Sequence, residues 1–194
     1  MLFILRPLAW VNTVILRLGR HISVVALALM VVVILTQVFF RYVLNNALAW
    51  PDEAARFLML WMVGLMAPSA MRWSGFVAID TLPSALPRAP ALVLTLVLLC
   101  MSLGVLVLAV QHGYAHTFGF GGKFDSSSLR VPLEWVGMEG FKVKLKYMYG
   151  SLLTCVVLLI SVTVELVLRT LLELFDPDAE QPSKDELEAI MGAD

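Results

Sequence analysis

Four long stretches of the chain lack the regular polar positions of a soluble helix or strand. The charge-free run Ile22–Phe40 anchors a first span at about residues 22–43. A second is expected at about 54–71, with Arg56 as its only internal charge, and a charge-free third at about 89–111. The fourth, at about 147–168, holds the uncharged run Tyr147–Val164 between Lys146 and Glu165. Each approaches the roughly 20 residues that a helix rising about 1.5 Å per residue needs to cross a bilayer core. β-Branched residues are common in all four. The runs are nevertheless continuous, without the in-out alternation of a barrel strand, so they read as helices.

The first 20 residues show a different pattern. Leu8, Val11, Ile15 and Leu18 recur at helical spacing, while Asn12, Thr13, Arg17 and Arg20 fall elsewhere. That predicts an amphipathic helix in the membrane interface, with Trp10 at headgroup level. A cleaved signal peptide fits less well, because the following apolar run is too long for one and no small-residue cleavage site follows promptly. The expected fold is an all-α membrane protein, with four transmembrane helices and an N-terminal amphipathic interfacial helix. Residues 1–175 form the transmembrane domain. Residues 176–194 form an acidic tail, expected to be mobile and cytoplasmic.

Composition agrees with the pattern. Of 194 residues, 60% are hydrophobic and 15% charged, and the mean hydropathy is +0.86. A soluble domain carries roughly a quarter charged residues. Disordered, collagen-like and disulfide-rich secreted chains are excluded. A net charge of −1 gives no bulk attraction for nucleic acid. Charge is concentrated in the tail, where Asp176–Asp194 holds seven acidic residues against Lys184.

Four spans put both termini on one side of the membrane. Arg17 and Arg20 before the first span favour a cytoplasmic N-terminus. Lys142, Lys144 and Lys146 against the fourth span argue the other way, and Lys and Arg divide seven to seven. The connections are short except the one before the fourth span. There Phe141–Lys146 alternates apolar and basic residues and fits the headgroup layer, its lysines in water.

Candidate chemistry is sparse. In Trp50-Pro51-Asp52-Glu53-Ala54-Ala55-Arg56, proline suits a first helical turn and the acids suit the positive end of the helix dipole. Arg56 stands at i+4 from Asp52 and i+3 from Glu53, in the favourable order for ion pairs. The segment reads as a capped helix start with a surface ion pair, or as a polar contact with a partner subunit. Gln37 and Arg41 share a face near the end of the first span, and a glutamine there should face protein rather than lipid. Trp61 lies two turns into the second span and needs a packing neighbour and an acceptor for its N–H. Gly64 and Ala67 permit close helix approach, which makes the second span the first choice for a helix contact surface.

Other groups carry less. His112 and His116 have i,i+4 spacing, but no further ligand completes a metal or haem site. Glu165 and Arg169 read as a helix-end ion pair. Cys100 and Cys155 fall within apolar runs as packing residues, with no C-x-x-C. Neither a P-loop, a nucleophile elbow nor a dinucleotide fingerprint is present. The sequence therefore predicts no catalytic residue, no metal and no cofactor.

An ordered set of residues carries a family resemblance. Gln37, Arg41-Tyr42-Val43, Asn45 and Trp50 precede Glu53, Arg56 and Trp61, then Arg72, Gly75, Val77, Ile79 and Asp80. Together they resemble the small membrane subunit of tripartite ATP-independent periplasmic (TRAP) transporters, most closely over residues 35–82. The chain departs from the family pattern at Met66, often Gly, and Phe76, often His, and the connection before the fourth span matches poorly. The resemblance implies a non-enzymatic scaffold subunit, with a cytoplasmic N- and C-terminus in a bacterial inner membrane. It would pair with a large multi-span subunit that carries substrate and sodium, and a periplasmic binding protein would deliver an organic acid. Membrane lipids are the remaining partner. Gln37, Arg41, Trp50, Asp52, Glu53, Arg56, Trp61 and Gly64 become candidates for the subunit interface, and no substrate site is implied. A stand-alone four-helix membrane redox protein and a small channel are the other classes compatible with four spans.

Overall fold

The computed structural model describes residues 2–73, 87–119, 121–131 and 141–175. Four helices dominate: α1, Leu2–Tyr42; α2, Trp50–Arg72; α3, Arg88–Phe118; and α4, Lys146–Phe175. All four are long and apolar enough to cross a membrane. The chain is thus an all-α membrane protein with four spans, as the hydropathy pattern predicts. Gly75, Phe76, Val77, Ile79, Asp80 and residues 176–194 lie outside the described residues.

The helices outrun the predicted spans because a helix can continue past the lipid once its length is sufficient. α1 is the extreme case. Its 41 residues measure about 60 Å at about 1.5 Å per residue, roughly twice the hydrocarbon thickness. The expected separate N-terminal helix is instead continuous with the first span.

α1 ends in a left-handed cap. Asn45 has φ of 50°, and the Asn46 N–H donates to the Phe40 carbonyl at 3.0 Å. That seven-residue closure satisfies an end carbonyl, and asparagine tolerates the conformation better than most residues.

A small sheet was not foreseen. Strand β1, Asp125–Val131, pairs antiparallel with β2, Phe141–Lys144, with Asp125 opposite Lys144 and Val131 opposite Phe141. The alternating segment before α4 is therefore a paired strand. A single-turn 3₁₀ helix, Gly121–Lys123, precedes the sheet.

The chain divides into two compact units, each drawing on all four helices. The first comprises Met1–Arg20, Met66–Ala109 and Val156–Asp194; the second comprises His21–Leu65 and Val110–Cys155. In the first unit Leu16, Met71, Leu99 and Val162 form the core, with Leu159, Leu166 and Val167 against it. In the second, Gly64 brings α2 against α4: a Cβ there would stand 2.8 Å from the Ser151 carbonyl oxygen and 3.6 Å from Cys155 Cβ. Small residues at such crossings let backbones approach where no hydrophobic force drives helices together. The Ser23 hydroxyl donates to the Met62 carbonyl at 3.3 Å, a further tie between α1 and α2 in the second unit.

Candidate functional site

The start of α2, in the second unit, carries the residues singled out from sequence. Pro51 is buried and Asp52 is exposed. Glu53 is half-buried, and its carboxylate accepts the Leu129 backbone N–H at 3.0 Å. The Ser126 hydroxyl accepts the same N–H at 3.0 Å. Glu53 thereby ties β1 to the helix start. Arg56 is exposed, and neither it nor Asp52 forms an ion pair among the described residues. The i,i+4 spacing allows that pair, but two exposed side chains gain little from closing it.

The remaining sequence candidates also lie in the second unit. Trp50 is exposed, and Trp61 packs on Phe57 with ring centroids 6.4 Å apart. The Trp61 indole N–H is enclosed and has no acceptor among the described residues. Gln37 is half-buried, and its amide likewise finds no partner there. Arg41 is exposed, its guanidinium 5.9 Å from the Tyr42 ring. The structure thus brings Glu53 to β1 and Gly64 to α4. It leaves Asp52, Arg56 and Arg41 on the outside of the second unit.

The first unit holds a cluster that sequence reasoning did not assemble. The Glu165 side chain on α4 is completely buried, with Arg72 of α2 only 6% exposed beside it. Glu165 Oε1 receives Arg72 Nη2 at 2.8 Å and Nε at 3.2 Å. The same oxygen receives Arg169 Nη2 at 2.9 Å and Nε at 3.1 Å. Oε2 receives Asn12 Nδ2 at 2.8 Å. Asn12 Oδ1 in turn accepts the Ser161 hydroxyl at 2.6 Å. Arg72 extends to the Thr13 hydroxyl at 2.7 Å and the Ala9 carbonyl at 3.1 Å. The network joins α1, α2 and α4, and each Glu165 oxygen is occupied. A buried charge persists only when paired and hydrogen-bonded in this way.

Only the Glu165–Arg169 contact was legible locally, as an i,i+4 pair. Arg72 lies 93 positions from Glu165 and Asn12 lies 153. The available signal was topological: with four spans, the ends of α2 and α4 reach the same membrane face, so a lone carboxylate there should seek the arginine. In the N-terminal segment the polar positions, rather than the apolar stripe, turn toward the protein. Asn12 and Thr13 are buried with Leu5, Ala9 and Leu16, while Val11, Ile15 and Leu18 are exposed. In lipid the apolar stripe has no need of a protein partner, and the polar groups do.

Neither region offers reactive chemistry. Both oxygens of the buried carboxylate are hydrogen-bonded within the chain, so the cluster acts as a fastening. A groove of about 500 Å³ in the first unit is walled by Met71, Leu98, Met101, Val105 and Leu159, with Ser102 as its polar residue. His112 and His116 are exposed on α3, and no three His, Cys, Asp or Glu among the described residues are grouped to hold a metal ion. Cys100 is exposed, Cys155 is buried, and neither forms a disulfide.

These features define a multi-pass helical membrane protein whose buried charges join its own helices. Over residues 30–173 the chain matches the family described as "Tripartite ATP-independent periplasmic transporters, DctQ component". It belongs to that family, which supplies the small membrane subunit of TRAP transporters. Such transporters work as tripartite complexes with a large membrane subunit and a periplasmic binding protein. No curated protein matches the chain. The family match takes in the connection before α4, beyond the 35–82 stretch that carries the sequence resemblance. It includes Arg72, Glu165 and Arg169 but begins after Asn12 and Thr13.

Proposed function

We propose that the chain is the scaffold subunit of a sodium-coupled TRAP transporter in a bacterial inner membrane, with both termini cytoplasmic. The transporter imports an organic acid handed over by the periplasmic binding protein. The large subunit carries substrate and sodium, and its transport domain moves like an elevator against a static wall. This chain widens that wall and binds neither substrate nor sodium. Given the family, the observation that carries the reading is the fully buried Glu165 carboxylate, both of whose oxygens are bonded within the chain. The deepest charge in the described chain holds α1, α2 and α4 together and leaves no oxygen for a moving ion. A wall needs that rigidity; a carrier site needs an open, exchanging ligand. Asp52, Arg56, Gln37 and Arg41 supply polar contacts to the large subunit, with Trp50 and Trp61 framing them. Glu53 and Gly64 hold the surface in place from within.

The test is recovery of the tagged chain from its native membrane in mild detergent, followed by reconstitution with what accompanies it. A stoichiometric multi-span partner and sodium-dependent uptake of an organic acid are expected, with uptake lost when this chain is omitted. Recovery of the chain alone under several detergents would sink the proposal, as would uptake that ignores sodium.

A further inference from the structure

A shallow, open cleft in the first unit combines a cation, an aromatic ring and exposed apolar side chains. Its volume is about 350 Å³, and it is lined by Arg20, Met66, Ser69, Ala70 and Trp73. The Arg20 guanidinium carbon lies 5.9 Å from the Trp73 ring centroid, a cation–π contact. Both residues stand at span borders. Arg20 is the last charge before the apolar run from Ile22, and Trp73 directly follows the last residue of α2. Ala70 and Met66 lie about 4.5 and 10 Å further along α2, at about 1.5 Å per residue. The lining therefore passes along α2 from a cation and an aromatic ring to the exposed apolar surface of Ala70 and Met66 within about two turns, with Ser69 as its buried member.

That gradient matches a phospholipid at the edge of a bilayer, with phosphate outermost and acyl carbons beneath. Tryptophan and arginine are the side chains that sit at this depth. The charge lining the cleft is a cation, Arg20, and no carboxylate is among the lining residues, so the charge at the mouth selects an anion. A guanidinium has five N–H donors, so Arg20 can hold a phosphate while keeping its contacts within the chain. The size favours a lipid over a partner helix. A helix needs a groove several turns long, whereas this cleft falls at the small end of the roughly 300–1,000 Å³ of small-molecule pockets.

We propose that the cleft binds an anionic phospholipid headgroup. Arg20 holds the phosphate, the Trp73 ring flanks it, and the first acyl carbons lie along Met66 and Ala70. The site requires only that the chain sits in a membrane and is independent of the transport reading.

The experiment is native mass spectrometry of the lipid-stripped full chain, titrated with dioleoylphosphatidylglycerol, dioleoylphosphatidylcholine or inorganic phosphate. Half-occupancy by phosphatidylglycerol is expected at a concentration at least about fivefold below that for phosphatidylcholine, a difference of about 1 kcal/mol. Inorganic phosphate should neither bind stably nor displace the lipid. Arg20→Gln with Trp73→Leu should abolish the preference, Arg20→Lys should keep part of it, and Lys144→Gln in the second unit should leave it unchanged. Equal binding of the two lipids by the natural chain would overturn the proposal. So would a double variant that keeps the preference, or phosphate that competes as well as the lipid. A photoactivatable phosphatidylglycerol on the natural chain covers the case of a double variant that does not fold. It should label the Met66–Trp73 stretch, and labelling confined to other segments would also overturn the site.

Discussion

The two charged regions of this chain are built in opposite ways. At the start of α2, Asp52, Glu53 and Arg56 are neighbours in sequence, yet Asp52 and Arg56 stay exposed and unpaired among the described residues. In the first unit Asn12, Arg72 and Glu165 come from three helices and are buried together. Proximity along the chain announces a helix start and little more. Proximity in space, at the cost of desolvation, marks where the fold depends on charge. In the first region the chain engages Glu53 and leaves Asp52 and Arg56 open; in the second every member is engaged within the chain.

The largest expected effect follows from removing the shared carboxylate. Glu165→Ala leaves Arg72 and Arg169 buried side by side with no counter-charge. Breaking a buried pair in this way costs about 3–5 kcal/mol. A thermal melt of the detergent-solubilised chain should show a fall of many degrees. Replacing all three charges together (Arg72→Met, Glu165→Leu, Arg169→Met) should cost much less, because no orphan charge remains. A Glu165→Ala chain that melts like the natural one would remove the contrast between the regions.

A middle effect is expected at Gly64, which belongs to the second unit but works by shape rather than charge. Even alanine puts a Cβ 2.8 Å from the Ser151 carbonyl oxygen, and that neighbour is backbone. The helices must separate, at about 1–3 kcal/mol by analogy with overpacked cores. Gly104 has open space where a Cβ would go, so Gly104→Ala in the same melt should be neutral or slightly stabilising. Equal behaviour of the two variants would show that the α2–α4 approach is looser than this geometry.

How much of this was legible in the sequence depends on the range of the interaction. The four spans were legible because bilayer thickness imposes a length and a hydropathy on each one locally. The Glu165–Arg169 pair was legible because helical periodicity sets it. Arg72 and Asn12 were not, since nothing local links positions 93 and 153 residues away from Glu165. The inward turn of Asn12 and Thr13 runs against a habit formed on soluble proteins, where the polar face of a helix meets water. The β1–β2 pairing was hidden by an alternation that suits a headgroup-level segment as well as a strand. Gly64 was found because a small residue in a span has few other uses.

The smallest effect on stability, and the sharpest test of the comparison, belongs to Arg56. Its guanidinium is exposed and bonds to nothing among the described residues, so Arg56→Ala removes no internal contact. The melting temperature of the isolated chain should stay within about 1–2 °C, as for an ordinary surface substitution. Under the proposed function the same change should lower recovery of the large subunit several-fold, because a charge at a membrane interface loses its partner there. Glu53→Gln should behave differently: an amide oxygen can still accept the Leu129 N–H, so this tie to β1 is kept while the charge is lost. If Arg56→Ala destabilised the isolated chain as severely as Glu165→Ala, Arg56 would have an internal role and the two regions would not be opposites. If it changed neither melting nor recovery, the start of α2 would be a helix start and nothing more, and the partner contact would have to be sought on the apolar faces of the helices.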